Sequence, residues 1–241
     1  MNPITSGVRK MRREILIVLL SLSLFFLHGC VTPEVVSNNF VYGKSESLSN
    51  LHVALMPFLA KELSGSEVED ITQEIFGELF KHANIKQIVQ PVENEESLFG
   101  GREPQARVKI NYYRNNRVVK KLIGGELKSK WESYWNNYLN KKEVNKDVLQ
   151  ELGNVLDVNS VMQFAITDLI RIRPRHREVV AETTVEISYV LFSLNGSVLM
   201  KGRSIAKQAN AWSGQLTPSP IEVVDIAIKD IFKNFNFYQN Y

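Results

Sequence analysis

Residues 179–210 read VVAETTVEISYVLFSLNGSVLMKGRSIAKQAN and predict the β-hairpin around which the fold is built. Apolar and polar side chains alternate along the first half, which is the period of a strand with one face in a core. Asn195-Gly196 is the strongest hairpin signal in the chain and predicts a two-residue turn. The register that follows pairs Leu191 with Met200, Tyr189 with Gly202, Ile187 with Ser204 and Val185 with Ala206. The return strand offers small residues to the core, which leaves room for a helix.

Two periodicities predict the remaining elements: alternation of apolar and polar residues for strands, and apolar residues three or four positions apart for helices. Strands are predicted at residues 51–58, 85–90 and 158–172, and helices at about 66–80, 127–138, 145–156 and 219–235. Ser66 and Glu69 have the spacing of a capping box for the first helix. Asn115-Asn116 predicts a turn within a short β-hairpin over residues 107–123. The predicted fold class is α/β: a mixed or mostly antiparallel sheet with about three helices on one face, like an anticodon-binding domain.

The N-terminal residues 15–30, ILIVLLSLSLFFLHGC, form an apolar run that follows four basic residues and ends in small Gly29 and Cys30. A membrane span needs about 20 apolar residues, so this order indicates a secretory signal peptide instead. The ending Leu27-His28-Gly29-Cys30 resembles the lipobox of bacterial lipoproteins, which are cleaved before the cysteine and acylated on it. The alternative is a chance thiol at the end of an ordinary signal peptide.

A lone cysteine cannot form an internal disulfide, and a lipid anchor explains why only one is present. Two or three acyl chains hold a protein stably at a bilayer, whereas one holds it marginally. The predicted organisation is a signal peptide at 1–29, a lipidated tether at 30–50 and one periplasmic domain at 51–241, with an insert at about 100–142. The residue after the cysteine is Val31 and not an aspartate, which would resemble an inner-membrane retention signal. The sequence therefore favours the outer membrane.

The net charge of +3 comes entirely from the signal peptide. Residues 1–29 hold four of the 29 basic residues and one of the 26 acidic ones, so the remainder has 25 of each. A neutral mature chain has no global basic field, which argues against nucleic acid as a partner.

Motifs of catalysis are missing from the sequence. It contains no G-x-S-x-G, H-E-x-x-H or phosphate-binding glycine loop. His52, His82 and His176 share no spacing typical of metal ligands. The sequence therefore predicts a protein without enzymatic activity, cofactor or metal.

Two stretches are candidate contact surfaces, each with a structural alternative. Arginines alternate with other residues, so an extended backbone would place four guanidinium groups on one side, at Arg171, Arg173, Arg175 and Arg177. They suit phosphate or carboxylate groups, unless they belong to a solvated loop. Aromatic residues recur at helical spacing at Trp131, Tyr134, Trp135 and Tyr138. They would form a partner face, or simply core.

The lipobox, the VALMPF strand before a helix, and LGNVLDVNSVMQFAITDL leading into the Asn-Gly hairpin and a last helix resemble one group of envelope lipoproteins. The group contains the curli secretion-channel lipoproteins and lipoprotein activators of peptidoglycan synthases. The resemblance implies a non-enzymatic domain, often a homo-oligomer, that contacts a secretion apparatus or a cell-wall synthase. The alternative is an oligomeric secretion-channel subunit, for which the hairpin at 107–123 would be the channel-forming element.

Overall fold

The predicted hairpin is present and lies near the middle of the sheet. The computed structural model describes residues 33–41, 51–82, 88–89, 109–113, 115–173, 181–210, 217–233 and 235. The strands are β1 Glu34–Val41, β2 His52–Leu55, β3 Ile88–Val89, β4 Lys109–Tyr112, β5 Ser160–Ile172, β6 Ala181–Ser193 and β7 Val198–Asn210. The helices are α1 Gly65–His82, α2 Asn116–Leu139, α3 Asp147–Leu156 and α4 Pro220–Lys233. The sheet has the order β1-β7-β6-β5-β2-β4-β3.

The register of β6 and β7 is confirmed for all four predicted pairs. The turn is not the predicted two-residue turn: four residues separate β6 from β7, and the pairing shifts between Leu191 and Phe192. Of Asn195 and Gly196, only Gly196 has a positive φ, of 87°, a conformation that costs glycine no steric clash. β5 and β1 continue the antiparallel half on either side of this hairpin. β2 pairs in parallel with both β4 and β5, and β3 in parallel with β4, so the sheet is mixed as predicted.

Helices cover both faces of the sheet, so the prediction of helices on one face is wrong. Successive residues of β2 point to opposite faces, and both faces are buried: Val53 and Leu55 pack with α1 and α4 in one core, and Ala54 with α2 and α3 in a second. A strand with two buried faces is typical of three-layer α/β folds. The continuous apolar run at 51–58 already indicated a strand that is buried on both faces.

The predicted hairpin over 107–123 is also wrong. Its first part forms β4, which pairs with β2, and residues 116–123 are the first turns of α2. Asn115 caps this helix, because its Oδ1 accepts hydrogen bonds from the backbone N–H groups of Arg117 and Val118 at 2.9 and 3.1 Å. Gly124, with φ of 77°, kinks the helix. The alternative of a channel subunit relied on that hairpin and loses its support.

The N-terminal cap of α1 lies two residues earlier than predicted. Ser64 and Glu67 form the capping box, with Ser64 N donating to Glu67 Oε2 at 2.6 Å and Glu67 N to Ser64 Oγ at 3.3 Å. Ser66 and Glu69 share the same sequence spacing, so spacing alone could not choose between the two pairs.

The predicted tether contains a strand. β1 runs along β7 for eight residues, from Glu34 opposite Lys207 to Val41 opposite Met200. The prediction of a coil through residues 31–50 is therefore wrong over this segment. The sequence did not predict β1 because the strand contains several polar residues. An edge strand with one covered face needs few apolar side chains.

A carboxyl pair links α1 and α4. Burial, a hydrogen bond to Asp225 and the charge of Asp225 raise the pKa of Glu74 to about 7, with Glu78 adding to the shift and Lys229 opposing it. Burial opposes ionisation of Asp225, but hydrogen bonds from Lys229 and Glu74 hold the pKa of its carboxyl below the ordinary value. Lys229 Nζ lies 2.6 Å from Asp225 Oδ2. Of the two carboxyl groups, Glu74 therefore holds a proton more readily, and Asp225 carries the negative charge.

We expect this pair to make the free energy of unfolding fall as the pH rises. The folded-state pKa of Glu74 lies above its unfolded value, so its contribution is complete below pH 4.5 and is lost as the pH passes about 7. Solvent screening of the half-exposed group limits the effect to about 1 kcal/mol. Urea unfolding over this range should show a flatter pH dependence for Glu74→Gln, with the exposed Glu62→Gln as control. A Glu74→Gln profile identical to that of the wild type would contradict the assignment.

Candidate interaction surface

Among the described residues, no helix covers part of the sheet on the side of α2 and α3. These two helices cover β2, β5 and the turn end of β6, where Phe192 is buried. Toward the other end, the same face of the hairpin consists of partly exposed or exposed side chains. We call this surface the open face; it comprises Glu182, Thr184, Glu186 and Ser188 of β6 and Lys201, Arg203, Ile205 and Lys207 of β7. Ion pairs cross it, with Lys207 Nζ 2.8 Å from Glu182 Oε2.

The aromatic residues of α2 close off the covered part of this face. Trp131, Tyr134 and Trp135 are each at most 3% exposed. Their rings and that of Tyr138 meet Phe192 edge-on, at centroid distances of 5.0 to 6.5 Å. The structure thus places three of the four predicted partner-face residues in the core, which agrees with the structural alternative. Tyr138 is half-buried at the border of the open face.

Polar groups inside this core are mostly paired. Trp131 Nε1 donates to Gln163 Oε1 at 3.0 Å, and Gln163 Nε2 donates to the carbonyl of Pro57 at 2.8 Å. Burial raises the pKa of Tyr134 to about 12. The Tyr134 hydroxyl has no hydrogen-bond partner among the described residues. The tyrosine therefore stays neutral and serves packing.

A groove of about 770 Å³ runs between the end of α2 and the open face. Tyr138 and Lys141 line one wall, and Thr167, Glu186, Ser188, Lys201 and Arg203 are among the residues of the other. Thr167 Oγ1 lies 3.1 Å from Glu186 Oε1 and 3.2 Å from Ser188 Oγ, which fixes a row of polar groups on its floor. The arrangement offers hydrogen-bond donors and acceptors to an extended ligand or partner segment.

The charge of the groove is positive. Lys141, Lys201 and Arg203 line it together with one carboxylate, Glu186. Arg203 Nη1 lies 4.0 Å from Glu186 Oε1, and the Arg203 side chain is 53% exposed. A loose ion pair of this kind leaves the guanidinium available to an incoming carboxylate or phosphate. The groove therefore suits an acidic partner.

The predicted arginine row is only partly described. Arg171 is the penultimate residue of β5, Arg173 follows the strand, and both are exposed. Arg175 and Arg177 lie outside the described residues, as does Cys30. Ile170 and Ile172, next to the arginines, are 49% and 45% exposed. Sequence reasoning did not single out these isoleucines, although their alternation with the arginines was visible.

The hydrogen bonds of His52 give this histidine a structural role. His52 Nε2 lies 2.9 Å from Asn111 Oδ1, and Asn111 Nδ2 donates to the carbonyl of Leu156 at 3.4 Å, so this histidine belongs to a structural network. Within the described ranges no three His, Cys, Asp or Glu residues are grouped as metal ligands would be. None of the helices there combines the length and apolar character needed to cross a bilayer.

The described residues thus form an α/β fold with a mixed sheet, which their helices cover on one face and in part on the other. No protein-family model and no curated protein matches the chain. Among solved structures, the PelC dodecamer from Paraburkholderia phytofirmans is 11% identical, with a TM-score of 0.36 over 87% of this chain and 100% of that chain.

Two further solved structures are similar to a comparable degree. Lipoprotein GNA1162 from Neisseria meningitidis is 12% identical, with a TM-score of 0.36, over 77% of this chain and 99% of that one. The hypothetical protein CT253 from Chlamydia trachomatis is 10% identical, with a TM-score of 0.40, over 77% of this chain and 95% of that one. We infer nothing about function from similarities of this size.

Proposed function

We propose that the mature chain is a non-enzymatic outer-membrane lipoprotein, acylated on Cys30, that presents a periplasmic domain to a protein of the cell envelope. The lipobox-like ending Leu27-His28-Gly29-Cys30 supports the anchor. The resemblance to envelope lipoproteins supports a partner in a secretion apparatus or in cell-wall synthesis.

The observation that carries the interaction role is the cationic groove on the open face. A sheet face beside a groove, with paired but accessible charges, has the mixed composition of a surface that binds reversibly. The excess of Lys141, Lys201 and Arg203 over Glu186 selects a partner whose contact segment carries carboxylates. Electrostatic complementarity of this kind speeds association and excludes basic partners.

In-cell crosslinking tests this proposal. A photoreactive amino acid at Ser188 in the intact lipoprotein should give a discrete adduct with an envelope protein, because Ser188 lines the groove. The matched control is Glu222, an exposed position on α4, which packs on the opposite face of the sheet. The Ser188 adduct should weaken several-fold in an Arg203→Glu background, since charge reversal repels an acidic segment.

Each outcome bears on the proposal. An adduct from position 188 that Arg203→Glu reduces supports it. Equal adducts from positions 188 and 222, or none from either, would overturn it. An adduct with the mass of a second copy of this chain would replace the envelope partner with a homo-oligomer.

A further inference from the structure

One end of the sheet lies close to the proposed lipid anchor. Only three residues, 31–33, lie between Cys30 and Glu34, the first residue of β1, so the two are four residue steps apart. A fully extended chain of that length spans at most about 14 Å. The 20-residue coil predicted from the sequence would have reached roughly 25 Å and imposed no orientation. The early start of β1 therefore holds the Glu34 end of the sheet near the membrane.

The sheet register brings the end of β5 to the same place. Glu34 lies opposite Lys207, Lys207 opposite Thr184, and Thr184 opposite Ile170. Three strand spacings separate β1 from β5, which amounts to about 15 Å. Because β5 is antiparallel to β6, Ile172 and Arg173 extend beyond the Glu34 row, in the direction from which the anchor comes.

We call this end of the sheet, formed by Glu34 of β1 and by residues 170–173 at the end of β5, the anchor end. Its side chains combine apolar and basic character. Ile170 and Ile172 are 49% and 45% exposed; together with Val36, which is 54% exposed and lies two residues along β1 from Glu34, they are three of the five large exposed apolar residues in the described ranges. All three belong to the open-face side of the sheet, since Val36 lies opposite Ile205, and Ile172 opposite Glu182.

The basic residues of the anchor end alternate with its isoleucines. Arg171 and Arg173 are exposed, and neither takes part in the ion pairs among the described residues. Alternation along β5 puts them on the side opposite Ile170 and Ile172, around the end of the strand. The end of the strand therefore has an apolar side and a cationic side.

We propose that the anchor end is a membrane-contact surface, in which Ile170 and Ile172 enter the headgroup region of the bilayer and Arg171 and Arg173 bind lipid phosphates. This inference rests on the lipid anchor at Cys30 proposed above. Apolar side chains flanked by arginines are the pattern of proteins that lie at a bilayer interface. A planar guanidinium matches phosphate oxygens in a bidentate way.

The occupant is a bilayer rather than a protein because of the anchor's length. Glu34 lies within about 14 Å of acylated Cys30, and the end of β5 is about 15 Å across the sheet from it, so the lipid surface is the partner nearest to the anchor end. The contact also leaves the groove free. Glu186 and Ser188 lie two and four residues further along β6 from Thr184, away from the anchor end.

A site-specific fluorescent label tests the proposal, since acylated Cys30 leaves no other thiol in the chain. Lipidated protein carrying Ile172→Cys would be labelled with an environment-sensitive dye and reconstituted into vesicles of phosphatidylethanolamine and phosphatidylglycerol. Val155→Cys is the matched control, because Val155 is 51% exposed but lies on α3. The label at 172 should shift to shorter wavelength and be quenched by brominated lipid, and the label at 155 should do neither.

A second variant separates the contact from the anchor. Arg171→Glu with Arg173→Glu should abolish the shift and quenching at position 172 while incorporation into vesicles stays unchanged. Equal responses at 172 and 155, or full quenching in the double variant, would overturn the membrane contact. Failure of every variant to acquire lipid on Cys30 would overturn the anchor instead, which is a distinct result.

Discussion

Phe192→Ala should lower the free energy of unfolding by about 3–5 kcal/mol, the range for a buried phenylalanine truncated in a core. Phe192 is fully buried, and four aromatic rings of α2 pack edge-on against it. Edge-to-face pairs add to the energy of area burial. The Phe192→Ala substitution therefore removes the ring that all four aromatic side chains of α2 contact.

The measurement is urea unfolding of the wild type and variant, followed by tryptophan fluorescence. Trp131 and Trp135 both contact Phe192, so their emission reports the local packing directly. The control is Val155→Ala, on the exposed side of α3, which should change stability by less than about 0.5 kcal/mol. A Phe192→Ala effect as small as that of the control would show that α2 does not pack on β6 as described.

Phe232→Ala should have a comparable effect on the opposite face of the sheet, again about 3–5 kcal/mol. Phe232 of α4 is 2% exposed and stacks on Phe164 of β5, with 6.0 Å between ring centroids. It also contacts Phe235 at 5.1 Å. Its loss would loosen α4, which packs on β6, β7 and β1.

The double variant tests whether helices lie on both faces. The two phenylalanines belong to separate cores, so their effects should add to within about 0.5 kcal/mol. The wild type, both single variants and the double variant would be unfolded in urea under the same conditions. A coupling above about 1 kcal/mol would place the two residues in one core and contradict the three-layer arrangement.

Strands β5, β6 and β7 of the antiparallel half were predictable because their signals are local, whereas the edge strand β1 was not. Alternation along β6 and the Asn195-Gly196 turn together set the register, and every predicted pair is present. Helix α4 followed from the apolar spacing within residues 219–235. These patterns depend on neighbours in sequence, so tertiary packing did not override them.

The parallel half depended on contacts that sequence spacing does not report. Residues 118–123 are compatible with a strand or a helix, and the cap at Asn115 together with buried Val119, Ile123 and Leu127 decided for the helix. The apolar run at 51–58 indicated a strand buried on both faces, but it could not show that α2 and α3 cover the second face. A short apolar run by itself does not distinguish these arrangements.

The candidate surface was predictable only in part. Alternation correctly put Glu186 and Ser188 outside the core, but it could not show that α2 ends beside them and forms a groove. Arg203 was not singled out, because the return strand was judged by the small residues it turns to the core. The aromatic residues of α2 suggested a partner face because of their chemistry, yet Trp131 and Trp135 are buried and serve packing.

The lipid anchor is the central claim, and metabolic labelling with palmitate tests it most directly. In cells that produce the full chain, wild-type protein should incorporate the label and sediment with the outer membrane. Cys30→Ser should incorporate none, because the chain has no other cysteine. Unlabelled wild-type protein, or equal labelling of the wild type and Cys30→Ser, would contradict the account.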